Sequence, residues 1–141
     1  MIVADVTVAA EARATIEQHG AETYPYECCG ALYGDASGTS FTVVEAVRLP
    51  NTTSDGPRRR FLIQPSDYLA AEKHARTTKR AFIGFYHSHP DHPARPSQTD
   101  LEHAWPNMLY TITSVREGVS RETTAWQLRE DRSQFDERTL G

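Results

Sequence analysis

Apolar and polar positions change their spacing several times along the chain, and each change marks a new element. Over residues 8–22, Ala12, Ile16 and His19 recur at helical spacing in an Ala- and Glu-rich stretch, which predicts a helix ending between Gly20 and Pro25. Residues 28–34 are short and mostly apolar, the pattern of a buried strand. A turn cluster at 35–38 and the Val-rich run 41–49 complete a hairpin. A polar loop occupies 50–57, and Phe61-Leu62-Ile63 reads as a short strand. After Pro65, a helix over 66–79 puts Tyr68, Ala71 and Ala75 on one face. Residues 81–86, Ala-Phe-Ile-Gly-Phe-Tyr, are almost continuously apolar, which suits a central strand covered on both faces. A loop with Pro90, Pro93 and Pro96 follows, then a short helix over 97–104 stopped by Pro106. Strands over 108–115 and 124–129 flank a turn at Glu117-Gly118, and the charged tail 131–141 is expected to form a short helix. This alternation predicts an α/β (α+β) fold, a mixed central sheet flanked by helices, in a single domain spanning 1–141.

Composition narrows the function classes. With 141 residues, 38% hydrophobic and 24% charged, the chain can bury a core and is not of the disordered type. A formal net charge of −4 gives no general attraction to nucleic acid or to an anionic membrane. The local exception, Arg58-Arg59-Arg60, reads as a solvated loop. No apolar run is long enough to span a bilayer and residues 1–10 lack a secretory pattern, so a soluble cytoplasmic protein is expected. The two cysteines, Cys28 and Cys29, are adjacent and form no Cys-x-x-Cys, which excludes a disulfide framework within the monomer.

Candidate chemistry concentrates after the apolar run. His87 and His89 sit two apart at its end. Period-two geometry places them on one face, with Ile83 and Phe85 as a dry wall. Imidazole nitrogen suits zinc, and two histidines with one carboxylate leave a fourth coordination position open for chemistry. Iron or cobalt would accept the same donors. Asp91, His92, Asp100, Glu102 and His103 are all near enough in sequence to complete the set. Asp100 has a second reading, because Ser97-Gln98-Thr99-Asp100 has the form of a capping box. Ser88 should face away from the histidines. Cys29 reads as a small buried apolar residue, His92 and His103 as loop or surface residues, and Trp105 and Trp126 as packing residues.

The segment His87-Ser88-His89-Pro90, six residues, then Ser97-Gln98-Thr99-Asp100 resembles the JAMM (MPN+) signature at every specified position. Upstream, residues 25–34 are similar to that family's Pro-x-Glu-x-Cys-Gly-x-Leu-x-Gly segment, through Pro25, Glu27, Cys29, Gly30, Leu32 and Gly34. The order of elements fits as well, over nearly the whole chain. The resemblance implies the JAMM/MPN fold, itself similar to cytidine deaminases. It implies one Zn2+ per chain held by His87, His89 and Asp100, with Glu27 as general base and acid and Ser97 as a hydrogen-bond donor to the oxyanion.

It further implies hydrolysis of a peptide or isopeptide bond at the C-terminus of a ubiquitin-like protein. For a short bacterial-type member, that substrate is the tail of a ThiS- or MoaD-like sulfur carrier, lying in a groove beside the metal with 51–60 as a candidate rim. A non-catalytic zinc-containing module that binds a ubiquitin-fold partner is the competing reading. A zinc deaminase ranks last, because Pro-Cys-x-x-Cys is missing.

Overall fold

The computed structural model describes residues 5–37, 40–51 and 63–141. Arg58-Arg59-Arg60, Phe61-Leu62 and most of the candidate rim 51–60 lie outside the described residues. Elements follow the order β1 (Val6–Val8), α1 (Ala10–Thr23), β2 (Cys29–Ser37), β3 (Ser40–Leu49), α2 (Pro65–Thr78), β4 (Ala81–Pro90), α3 (Gln98–His103), β5 (Leu109–Arg116), β6 (Val119–Leu128) and β7 (Phe135–Arg138). The fold is α+β, with one mixed seven-stranded sheet in the order β1-β3-β2-β4-β5-β6-β7. The sheet curls until its ends meet. Val6 N–H donates to Thr139, Gly141 N–H donates to Val6, and Val6 bridges Leu140.

β4 is central, antiparallel to β2 and parallel to β5. One face packs on α1. Ala12 and Ile16 of that helix join Cys28, Leu32, Ile83 and Tyr86 in a buried cluster, the result expected from their spacing. Gly20 lies so near β5 that an added Cβ would stand 3.0 Å from Val115. The other face carries α2 and α3. Tyr68, Phe82, Phe85 and Trp105 stack there around Cys29 and Tyr110. Tyr33 donates its hydroxyl to the Ala71 carbonyl of α2 at 2.9 Å.

Four expectations are corrected. Residues 35–37 continue β2 instead of turning, because Asp35, Ala36 and Ser37 still find partners on β3. The tail forms β7, not a helix; Phe135–Arg138 pairs antiparallel to the end of β6, from Leu128↔Phe135 to Ala125↔Arg138. The first element among the described residues is a strand, β1, which pairs parallel to β3 before the helix starts at Ala10. Finally, Ile83 does not line the face of the histidines. Leu32 pairs with Gly84 and Tyr33 with Phe82, so Ile83 is left over as a bulge and turns to the α1 side. Phe82 and Phe85 take the other face.

Candidate functional site

Antiparallel pairing of β2 with β4 sets Cys29 opposite His87. With alternation, Glu27, just before β2, falls on the same face as His87 and His89. The even-numbered residues lock that register from behind: Ser88 N–H donates to the Cys28 carbonyl, and Cys28 N–H donates to the Ser88 hydroxyl at 2.9 Å. Ser88 therefore faces away from the histidines, as expected. Asn51 adds a third tie, its amide donating to the Glu27 carbonyl at 3.1 Å.

The loop beyond β4 is held by its neighbours. Asp91, at φ 57°, donates its N–H to Val115; Ser114 donates to the His92 carbonyl and Thr124 to that of buried Ala94. This pinning delivers α3 to the end of β4. Ser97 caps that helix, accepting from Asp100 N–H at 3.0 Å, while Asp100 Oδ2 accepts from Ser97 N–H at 2.8 Å. The box is worth about 1 kcal/mol. The same Oδ2 lies 3.2 Å from His87 Nε2 and 3.1 Å from His89 Nε2. Asp100 thus caps the helix and joins the histidine cluster. The two readings of its position are compatible.

One donor atom each from Glu27, His87, His89 and Asp100 falls within 4.8 Å of the others. All four residues are buried; Glu27 is 2% exposed and His87 1%. Of the other acids and histidines near in sequence, Asp91, Glu102 and His103 are exposed, and His92 packs its ring on His89. Asp91 is engaged elsewhere, accepting from the Tyr24 hydroxyl and from Glu117 N–H. Cys28 and Cys29 are buried free thiols. Burial pushes Cys28 up to about 11 and Cys29 higher still, which leaves no thiolate for nucleophilic work.

The donor set fits a divalent cation. His89 Nδ1 lies 2.8 Å from the Pro93 carbonyl, which can only accept. The proton therefore sits on Nδ1, and in the neutral ring Nε2 offers a lone pair 3.1 Å from a carboxylate oxygen. Two acceptors so close call for a positive charge between them: a second proton, which makes the ring a donor to Asp100, or a metal ion in its place. Glu27 points the same way. Its Oε1 is buried with no hydrogen-bond partner among the described residues. Burial, and then the negative charge of Asp100, push its carboxyl up to about 9. Burial also raises the Asp100 carboxyl, but His87 and the hydrogen bonds from both rings and Ser97 outweigh this and hold it below the usual range. His87 is lowered by burial.

Two hollows adjoin the cluster. A small one of about 50 Å³ lies between His87, Asp100, Ile63, Trp105 and Tyr110. Trp105 thus packs on Phe85, as expected, and also lines a hollow beside His87. A larger open cleft of about 850 Å³ runs from Pro25 past His89 to Arg95 and Ser97. The Pro93 carbonyl, Asn51 and the structural part of Ser88 were not foreseen. Their contacts depend on chain crossings that spacing does not reveal.

A curled mixed sheet whose central strand ends in such a cluster defines a JAB/MPN-type domain. The chain belongs to the family described as prokaryotic homologs of the JAB domain, which matches residues 9–129. It is 32% identical over 114 residues to a protein of Haloferax volcanii named Desampylase, covering 77% of this chain and 80% of that one. It is 33% identical over 107 residues to tail tip assembly protein K of Escherichia phage N15; that match covers 75% of this chain and spans 40% of the phage protein. Two solution structures share the fold. One, from Desulfitobacterium hafniense, has a TM-score of 0.82 at 28% identity and covers 96% of this chain and 91% of its own. The other, from Salinibacter ruber, has a TM-score of 0.72 at 40% identity and covers 95% and 89%.

Proposed function

We propose that this protein is a zinc-dependent peptidase or isopeptidase acting at the C-terminus of a ubiquitin-like protein, with a ThiS- or MoaD-like sulfur carrier as its substrate. The observation that carries this reading is the buried convergence of Glu27, His87, His89 and Asp100. The family and the relative named Desampylase, a name for a deconjugating enzyme, support hydrolysis of the isopeptide type. We assign the metal to His87, His89 and Asp100. A divalent ion bound there supplies Lewis acidity toward water and toward a carbonyl oxygen.

The chain's own residues account for the rest. A cation held beside Glu27 would offset burial and the charge of Asp100 and keep the carboxylate ionised, so that it takes the proton of the attacking water and returns it to the leaving amine. The Ser97 hydroxyl accepts from Asp100 N–H, so its own proton is free to donate to the oxyanion, a bond typically worth about 3 kcal/mol. Pro93 fixes the ring of His89, and Phe85 with Trp105 closes the wall behind His87. Among the described residues no helix is long and apolar enough to cross a membrane, and we place the activity in the cytoplasm.

A panel of carrier proteins extended beyond Gly-Gly tests this reading by mass spectrometry, with chelated protein as control and metal analysis in parallel. One zinc per chain and chelator-sensitive release of the extension are expected. Stoichiometric zinc without cleavage of any member would favour a binding module instead.

A further inference from the structure

The large cleft is lined by several polar groups, and most are already engaged. Asp91 accepts from Tyr24 and from Glu117 N–H, His89 donates to Pro93, Ser97 and Asp100 cap one another, and the Gln98 amide reaches Glu102 at 3.4 Å. Arg95 differs. Its backbone N–H donates to the Pro93 carbonyl, which fixes where the residue stands in the loop. Its side chain is exposed on the cleft wall and has no hydrogen bond or ion pair among the described residues. Among the described residues it is also the only lysine or arginine lining this cleft, in a chain of net charge −4 and beside a site containing Glu27 and Asp100. An exposed arginine that lines a cleft of this size, with no side-chain partner among the described residues, offers a planar donor fork suited to a carboxylate. Its positive charge offsets the repulsion that the neighbouring acids impose on an anionic ligand.

We infer that Arg95 forms a carboxylate subsite in the cleft beside the metal centre, and that the protein prefers substrates carrying a carboxylate close to the bond it cuts. This rests on the hydrolase reading above only for the word substrate; the subsite itself is a binding property. The cleft is large enough for a short peptide segment. The carboxylate has two sources, the α-carboxylate of a terminal residue or an acidic side chain. A lysine side-chain amine brings neither, so the subsite separates two kinds of leaving group.

Peptides ending Gly-Gly-Ala as free acid, Gly-Gly-Ala as amide, and Gly-Gly-Glu as amide distinguish these sources. Binding is measured by calorimetry on parent and Arg95→Gln, each with zinc and after chelation. Cleavage of the same peptides is followed separately. The parent should bind at least one acidic peptide about tenfold tighter than the neutral amide, with and without zinc, and the preference should weaken with added salt. Arg95→Gln should lose the preference, and Arg95→Lys should restore part of it. The peptide that gains identifies the source. Equal binding of all three by the parent would overturn the subsite. So would a preference that appears only with zinc and survives in Arg95→Gln, since the carboxylate would then be on the metal. An Arg95-dependent preference without any cleavage would keep the subsite and remove the hydrolase reading.

Discussion

The two faces of β4 carry polar side chains in equal density but for opposite purposes. On one face His87 and His89 meet Asp100 and Glu27, and their donor atoms crowd together with one carboxylate oxygen unsatisfied. On the other, Tyr86 and Ser88 are fully engaged. The Tyr86 hydroxyl is hydrogen-bonded to His19 of α1 at 2.7 Å, and Ser88 holds the start of β2. An unsatisfied buried group costs stability and persists where it has a ligand to meet, whereas a satisfied one fixes the fold. The first face carries the donor set that we propose does chemistry, and the second holds register. Because Glu27 is one residue from Cys28, the second face also sets where that proposed base stands.

The largest effect should come from Glu27→Gln, which removes the proposed base and keeps the shape. Turnover should fall about a hundredfold or more while zinc stays bound and the melting temperature changes little. Unchanged turnover in steady-state assays would remove Glu27 from the reaction. Next comes the structural face. An added Cβ at Gly30 would stand 2.0 Å from the Tyr86 ring, which lies across the glycine. Gly30→Ala should cost about 3 kcal/mol in urea unfolding. A neutral result would mean that the ring moves freely and that the two faces are less distinct than stated.

Ser88→Ala tests the link between the faces more gently. It leaves the buried Cys28 N–H without its 2.9 Å partner and should cost about 2 kcal/mol. A smaller loss of turnover should accompany it as Glu27 loosens; full activity at reduced stability would show that register and chemistry are independent. The smallest effect is a pH dependence. Burial, then nearby Arg48, lowers His19 from 6.5 to about 4, against a weaker opposing influence from Glu22. His19 is therefore neutral in the fold, while the unfolded chain takes up a proton below about 6.5. Its contribution is complete above that pH and is lost as pH falls toward 4. Between pH 7.5 and 5 the parent should lose about 1 kcal/mol more than His19→Gln. Parallel loss in the two proteins, read from urea melts, would place the acid sensitivity elsewhere.

Much of this was written in the order of residues. The periods of α1 and α2, the apolar run of β4, and the His-x-His-Pro and Ser-x-x-Asp spacing were legible because each depends on neighbours within a turn or a strand. β1 and β7 were not legible. Three and four residues carry too little alternation, and they are strands only because a curled sheet brings Val6 and Leu140 together. Ile83 failed for a related reason. Strict alternation puts it with Phe85, but a bulge against β2 adds one residue and reverses its face.

The sequence by itself determined which donors exist and which local element bears each one, since helix and strand periods are short-range properties of the chain. Only the tertiary structure decided that the carboxylate of residue 27 comes within 4.8 Å of donors sixty and more positions later. It also decided which ring nitrogen of His89 carries the proton and that Arg95 faces the same cleft as His89. Those outcomes depend on backbone groups and strand crossings far apart in the chain, and no spacing along a single segment encodes where such partners meet.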